Sequence, residues 1–164
     1  MSATSDPALD LVLERTADVS AAFVWRAWTE PELLKRWFTP RPWTTPDCTV
    51  DLRPGGAFRT VMRGPDGTQF ENTGCYLELV HERRLVWTNV LLPGYRPKAK
   101  PMAPSDELLF TATIEIEPLG DDRCRYRATV QHGQPEARER HAAMGFETGW
   151  GTAFEQLVAL AAER

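Results

Sequence analysis

The spacing of apolar residues changes twice along this chain, and each change marks a different kind of element. Leu9 to Arg15 is a short apolar-rich run that predicts a first strand. Phe23, Val24, Ala27 and Trp28 then share an i, i+3/i+4 face, which predicts a helix that Asp18 or Ser20 can cap.

A second short helix is predicted directly after the first. Thr29 is placed as its N-cap and Pro31 as a favoured early helical position. Glu32 lies in the first turn, where a carboxylate suits the helix dipole. The pattern ends before Pro40, so two helices with almost no linker follow the first strand.

From Cys48 the period becomes two, which predicts a run of six strands. Gly74, inside the longest strand, indicates a bulge or bend. Turns at Gly55–Gly56, Gly67 and Gly120 separate several of the segments. The predicted strands cover Cys48 to Leu52, Ala57 to Arg63, Gln69 to Val80, Arg84 to Leu92, Leu108 to Ile116 and Cys124 to His132.

Two segments leave alternatives open. Pro93 to Asp106 contains four prolines and predicts a long surface loop, either a lid over a cavity or a plain connection. Pro135 to Arg164 is predicted helical, although Gly145, Gly149 and Gly151 interrupt its first half. Those glycines indicate either close approach of the helix to the sheet or a kink between two helices.

This order of elements predicts an α+β fold. The inner face of a seven-stranded antiparallel sheet must be covered, and the terminal segment carries a matching apolar stripe. The sheet is therefore expected to curl around a long C-terminal helix, with the two short helices closing one end. Residues 1–8 are predicted to be disordered and residues 9–164 to form one domain, which suits a chain of 164 residues.

Composition narrows the classes of function. The formal net charge of −4 disfavours nucleic acid as a partner, because phosphate binding needs a concentrated basic face. Arg123, Arg125 and Arg127 are interpreted as the solvated face of one strand. No run of 18 apolar residues exists, so stable membrane insertion is not expected.

The cysteines and the N-terminus favour a cytoplasmic protein. Cys48, Cys75 and Cys124 are odd in number and lack a metal-binding or disulfide spacing. No leader pattern of basic residues followed by an apolar run begins the chain. The sequence also contains no nucleotide-binding, zinc-hydrolase or serine-hydrolase motif, so neither a cofactor nor a metal is expected.

Four segments resemble a known family. VWRAWTEPELLKRWF (24–38), DLRPGGAFR (51–59), PDGTQFENTGCYLELV (65–80) and HAAMGFETGWGTAFEQL (141–157) look like the AHSA-like branch of the SRPBCC, or START-like, superfamily. This branch is named after the C-terminal domain of the activator of heat-shock protein 90 ATPase. The resemblance covers about residues 9–162 and implies the helix-grip fold, with a cavity that holds hydrophobic ligands in relatives. It implies no shared catalytic residue.

Strand and helix parity then suggest which side chains line that cavity. Aromatic residues dominate the set, as in most ligand pockets, and a few polar groups would orient a ligand. The predicted lining residues are Trp37, Phe38, Trp43, Phe58, Met62, Tyr76, Trp87, Asn89, Phe110, His132, His141, Met144, Trp150 and Phe154.

His132 and His141 receive three interpretations. Imidazoles titrate near neutral pH, so the two could form a hydrogen-bonding or acid–base pair at the cavity mouth. The favoured interpretation is simpler, with a strand-end histidine and a separate, solvated helix histidine. A metal site built from the two is the least favoured.

Three functions remain, in this order of preference. The first is binding of an apolar or aromatic small molecule or lipid by a monomer or homodimer. The second is a cofactor-free enzyme of the cyclase or hydrolase kind that uses His132. The third is a chaperone-interacting module; the named co-chaperone has an additional N-terminal domain that this chain is too short to contain, so direct ATPase activation is the least expected.

Overall fold

The computed structural model describes residues 5–99 and 108–163. It contains a seven-stranded antiparallel sheet in the order β1-β9-β8-β5-β4-β3-β2 and a separate two-stranded hairpin, β6-β7. The strands are β1 Asp10–Ala17, β2 Thr44–Val50, β3 Ala57–Arg63, β4 Gln69–Val80, β5 Arg84–Thr88, β6 Leu91–Leu92, β7 Arg96–Pro97, β8 Phe110–Pro118 and β9 Cys124–His132. The helices are α1 Ala21–Thr29, α2 Pro31–Trp37, α3 Pro135–Ala143 and α4 Phe146–Ala162.

The predicted α+β helix-grip fold is confirmed. The C-terminal helix packs on the inner face of the sheet, and α1 and α2 follow β1 directly. The hairpin of β8 and β9 buries one side of each strand, including Ala112, Ile114, Ala128 and Val130. The two-residue alternation dictates this burial, because successive side chains point to opposite faces of a strand.

The first helix begins at Ser20, whose hydroxyl oxygen accepts a hydrogen bond from the amide of Phe23 at 3.1 Å. Thr29 does not cap the second helix, contrary to the prediction. It ends the first helix and donates its hydroxyl to the carbonyl of Trp25. Glu30 is the N-cap of α2, without a side-chain hydrogen bond, and Pro31 occupies the first helical turn as predicted.

The C-terminal segment is two helices, which confirms the kink alternative. Gly145 separates α3 from α4 with a positive φ of 93°. A Cβ atom placed on Gly145 or Gly149 would meet no atom within 4 Å, so neither glycine is required by close packing. Close approach occurs instead at Gly74, where an added Cβ would lie 2.1 Å from the carbonyl oxygen of Thr88.

Several predicted boundaries change. Strand β2 begins at Thr44, four residues before the predicted start, with a register shift around Pro46. The predicted strand from Arg84 to Leu92 divides into β5 and the separate β6. The first part of the predicted Pro93–Asp106 loop forms a short hairpin through β7, and the part from residue 100 lies outside the described residues.

The predicted disordered segment at the N-terminus lies partly within the described residues. Within the predicted disordered segment, residues 1–4 lie outside the described part of the chain. Residues 5–8 form a turn in which the Asp6 carboxylate accepts the amide of Ala8. In the ranges 5–99 and 108–163, no helix has the length and apolar character needed to cross a bilayer.

The basic stripe on β9 is paired with acidic neighbours. Arg125 contacts Glu117 at 2.8 Å and Glu14 at 3.6 Å, and Arg127 lies 3.9 Å from Glu14. Because these charges are already compensated on the sheet's outer face, they do not form a free cationic surface.

Candidate functional site

A continuous set of aromatic rings occupies the space between the sheet and α4. We call Phe38, Phe58, Trp87, Trp150 and Phe110 the aromatic wall. The ring centroids of Phe38 and Phe58 are 6.0 Å apart, those of Phe58 and Trp87 4.9 Å, and those of Trp87 and Trp150 6.3 Å. Phe110 follows at 6.4 Å from Trp150. These distances are typical of favourable aromatic pairs.

The wall combines buried and accessible members. Phe58 and Trp87 are buried, because alternate positions of β3 and β5 face the interior. Phe38, Phe110 and Trp150 are half-buried. The half-buried members come from three separate elements: the end of α2, the start of β8 and the first half of α4.

A histidine pair closes one end of the wall. Nε2 of His132 and Nδ1 of His141 are 2.9 Å apart, and Nδ1 of His132 lies 2.8 Å from the carbonyl oxygen of Leu9. Strand β9 places His132 opposite Phe110, and the last turn of α3 supplies His141. Both histidines are buried, so the interpretation as a strand-end histidine plus a solvated helix histidine is wrong.

The surroundings of His141 are aromatic. Its ring centroid lies 5.4 Å from Phe110, 5.4 Å from Phe146 and 6.5 Å from Trp150. Burial, and to a smaller extent the neighbouring His132, lowers the pKa of His141 to about 4. The His141 imidazole is therefore uncharged at neutral pH.

Tyr76, beside Phe58, has a fully buried hydroxyl group. Its ring lies 5.4 Å from Phe58, the residue is fully buried, and no described residue hydrogen-bonds to its hydroxyl. Burial raises the pKa of this phenol above its usual value. An enclosed hydroxyl without a partner costs free energy, since it has lost its hydrogen bonds to water.

Two of the predicted lining residues lie elsewhere. Met144 is 69% exposed, because it terminates α3 immediately before the Gly145 break and its side chain leaves the interior. Asn89 is buried, but its side chain bonds to the backbone of Leu108 and Phe110 and so holds the start of β8.

The remaining predicted residues divide by position. Trp37 and Phe154 are buried beside the wall, where Trp37 donates its indole N–H to the carbonyl of Ala27 and Phe154 stacks on Tyr126 at 4.1 Å. Trp43 is half-buried and stacks on the exposed Phe70. Met62 is half-buried on β3, opposite Phe70.

Sequence reasoning missed Trp28 as a member of the interior, although its helical spacing indicated a buried face. Its ring lies 4.9 Å from Trp37, 5.8 Å from Phe38 and 5.1 Å from Trp87. Phe146 was also missed. The Leu9 carbonyl that orients His132 could not be predicted, because a backbone contact leaves no residue-type signal.

Two concavities among the described residues lie outside the interior of the sheet. One, of about 360 Å³, is on the outer face of β2–β4 around Arg59, which is paired with Asp47 and Glu71. The other, of about 210 Å³, lies between α2 and α4 and is bordered by the ion pair of Arg36 and Glu163. The interior itself is occupied by the aromatic side chains described above, so the predicted hollow is not confirmed.

Metal ligands do not gather in this region. Throughout residues 5–99 and 108–163, no three histidine, cysteine, aspartate or glutamate side chains form a group able to hold a metal ion.

The curved sheet closed by a C-terminal helix, with an aromatic interior, defines the helix-grip class of α+β domains. The family model described as activator of Hsp90 ATPase homolog 1-like protein matches residues 18–162, and the chain belongs to that family. No curated protein matches the chain significantly.

Solved structures agree with this assignment. A protein from Nitrosomonas europaea is 46% identical, with 97% of each chain covered and a TM-score of 0.89. A protein from Arthrobacter aurescens is 29% identical, with 99% of this chain and 92% of that chain covered and a TM-score of 0.79. The AHSA1 protein from Silicibacter pomeroyi, at 22% identity, 94% and 99% coverage and a TM-score of 0.67, shares the fold.

Proposed function

We propose that the protein binds an uncharged aromatic or apolar small molecule at the aromatic wall, between the sheet and the first half of α4. The observation that carries this proposal is the continuity of the wall from Phe38 to Phe110, with half-buried rings at its border. Ligand sites in proteins are commonly lined by aromatic and apolar groups with a few polar atoms among them.

The polar atoms near this wall support the same proposal. Tyr76, with its buried hydroxyl, lies beside Phe58, and the histidine pair lies beside Phe110. A bound molecule that reaches the Tyr76 hydroxyl would restore a hydrogen bond that no described residue supplies. No carboxylate or ammonium group belongs to the wall, so a charged ligand body would be buried without a counter-ion.

Entry requires movement, because side chains fill the site in this structure. Trp150 and Phe38 are half-buried; Trp150 lies on α4, and Phe38 is the C-cap of α2. The first half of α4 begins after Gly145 and contains Gly149, so its intrinsic helical stability is low. We therefore assign the opening to a displacement of this half of α4 away from the sheet.

The first prediction is a saturable response of tryptophan fluorescence to 2-methylnaphthalene. Trp87 and Trp150 belong to the wall, so a ring bound there changes their environment. Phe38→Ser should weaken binding by roughly threefold to tenfold, the size expected for losing one aromatic contact. Isothermal titration calorimetry provides the independent measurement of affinity.

Phe70→Ser is the matched control, because Phe70 is 50% exposed and stacks on Trp43 away from the wall. Its affinity should equal that of the unchanged protein. If the unchanged protein responds to none of a panel of apolar aromatics and lipids, the proposal is overturned. Equal weakening by both substitutions would place the binding site somewhere other than the wall.

A further inference from the structure

The hydrogen-bond direction within the histidine pair follows from the carbonyl at its end. A carbonyl oxygen only accepts hydrogen bonds, so Nδ1 of His132 must carry the proton that it donates to Leu9. A neutral His132 therefore has a lone pair on Nε2. That nitrogen accepts from Nδ1–H of His141, 2.9 Å away.

This assignment leaves one nitrogen unused. A neutral His141 with its proton on Nδ1 has a lone pair on Nε2. No described residue hydrogen-bonds to that nitrogen, and it is not among the fully enclosed polar atoms that lack a partner. The ring that carries it is buried against Phe110, Phe146 and Trp150, beside the aromatic wall.

We infer that Nε2 of His141 accepts a hydrogen bond from a hydroxyl group of the bound molecule, so that the site prefers phenols or alcohols to hydrocarbons of the same shape. The inference rests on the proposed function. A lone pair attracts a hydrogen-bond donor and repels a carboxylate. The preferred ligand is thus an uncharged aromatic or apolar body with one hydroxyl group.

His132 has a positioning role in this arrangement. In the proposed arrangement His132 does not contact the ligand. Its Nε2 atom accepts the hydrogen bond from Nδ1–H of His141 and thereby fixes the tautomer of His141. The hydrogen bonds from Leu9 through His132 to His141 thus leave an acceptor nitrogen on the His141 ring, which lies beside Phe110 and Trp150. If both nitrogens of His132 carried protons, Nδ1 of His141 would have to accept the hydrogen bond, and this tautomer of His141 would be absent.

The test compares three probes of one shape at pH 7.5: 2-naphthol, 2-methylnaphthalene and 2-naphthoate. We expect 2-naphthol to bind about fivefold to tenfold more tightly than 2-methylnaphthalene, the effect of one net hydrogen bond. The carboxylate should bind more weakly than either. His141→Phe keeps an aromatic ring beside Phe110, so it should abolish the preference for 2-naphthol and retain binding of 2-methylnaphthalene.

A second measurement does not depend on the variant. Long-range nitrogen–proton NMR spectra of the unchanged protein at pH 7.5 should show both His132 and His141 with the proton on Nδ1. His81→Gln, which removes an exposed histidine, should leave those signals and the ligand preference unchanged.

The outcomes separate the two proposals. Binding of 2-methylnaphthalene without any preference for 2-naphthol overturns this inference and leaves the proposed function intact. An Nε2–H tautomer of His141 in the unchanged protein also overturns it. If no probe binds, both proposals fail together.

Discussion

Acidification from pH 6.5 to pH 4 should remove about 3 kcal/mol of folding stability through His141 alone. Burial among aromatic rings, with His132 as the neighbouring titratable group, lowers the pKa of His141 to about 4 from an ordinary value of 6.5. A difference of one pKa unit corresponds to about 1.4 kcal/mol. The predicted magnitude follows from the difference between these two values.

The sign follows from proton uptake. Between pH 6.5 and pH 4 the unfolded chain protonates this histidine and the folded protein does not, so acid favours unfolding. Above pH 6.5 neither state is protonated there, and stability no longer depends on this group. Protonation of Nε2 would keep the hydrogen bond to His132, but it would place a charge among Phe110, Phe146 and Trp150.

Denaturant titrations of the unchanged protein and His141→Gln at several pH values measure this contribution. Carboxylates that are ion-paired in the fold, such as Asp47 and Glu71, also lose their stabilising effect in acid, so only the difference between the two pH profiles is informative. His81→Gln should keep the full pH dependence, because that histidine is exposed. Identical profiles for the unchanged protein and His141→Gln would contradict the prediction.

Gly74→Ala should destabilise the protein by about 3 kcal/mol, near the upper end of the usual cost of overpacking. The added Cβ would lie 2.1 Å from the carbonyl oxygen of Thr88 and 2.9 Å from its carbonyl carbon. These are backbone atoms of the neighbouring strand, so no side-chain rotation can relieve the clash. The strands β4 and β5 would have to separate, next to Tyr76 and Trp87.

Gly149→Ala is the matched control within the same protein. An added Cβ there meets no atom within 4 Å, and alanine favours a helix over glycine by about 1 kcal/mol. This substitution should therefore raise the free energy of unfolding by about 1 kcal/mol. Thermal and denaturant unfolding of both variants would decide the matter, and a neutral Gly74→Ala would show that the two strands do not approach closely in solution.

The structure does not confirm the expected hollow, and parity alone cannot reveal whether one exists. The alternation of apolar and polar residues along the strands correctly assigned Phe58, Tyr76 and Trp87 to the inner face of the sheet. Whether inner-face side chains leave space or fill it depends on the distance from the sheet to α4 and on side-chain rotamers. Ring contacts such as those of Trp28 with Trp37, Phe38 and Trp87 therefore appear only in three dimensions.

The histidine pair illustrates the same limit. Sequence reasoning placed His132 on the concave side and His141 near the same region, and it considered a hydrogen-bonded pair as one interpretation. The structure brings Nε2 of His132 within 2.9 Å of Nδ1 of His141, because α3 follows β9 after a short turn and ends at Ala143, shortly before Gly145. The Leu9 carbonyl, which determines the direction of the hydrogen bonds, belongs to the opposite end of the chain.

The amino-acid sequence by itself determined the order of helices and strands, the inward-facing positions of β8 and β9, and the family. These properties are local, since residue spacing alone sets which face of a strand or helix is apolar. Tertiary structure alone decided that aromatic rings meet in the interior, that Met144 points away from it and that no described residue hydrogen-bonds to Nε2 of His141. Those properties depend on distances between segments far apart in the chain, which no local pattern encodes.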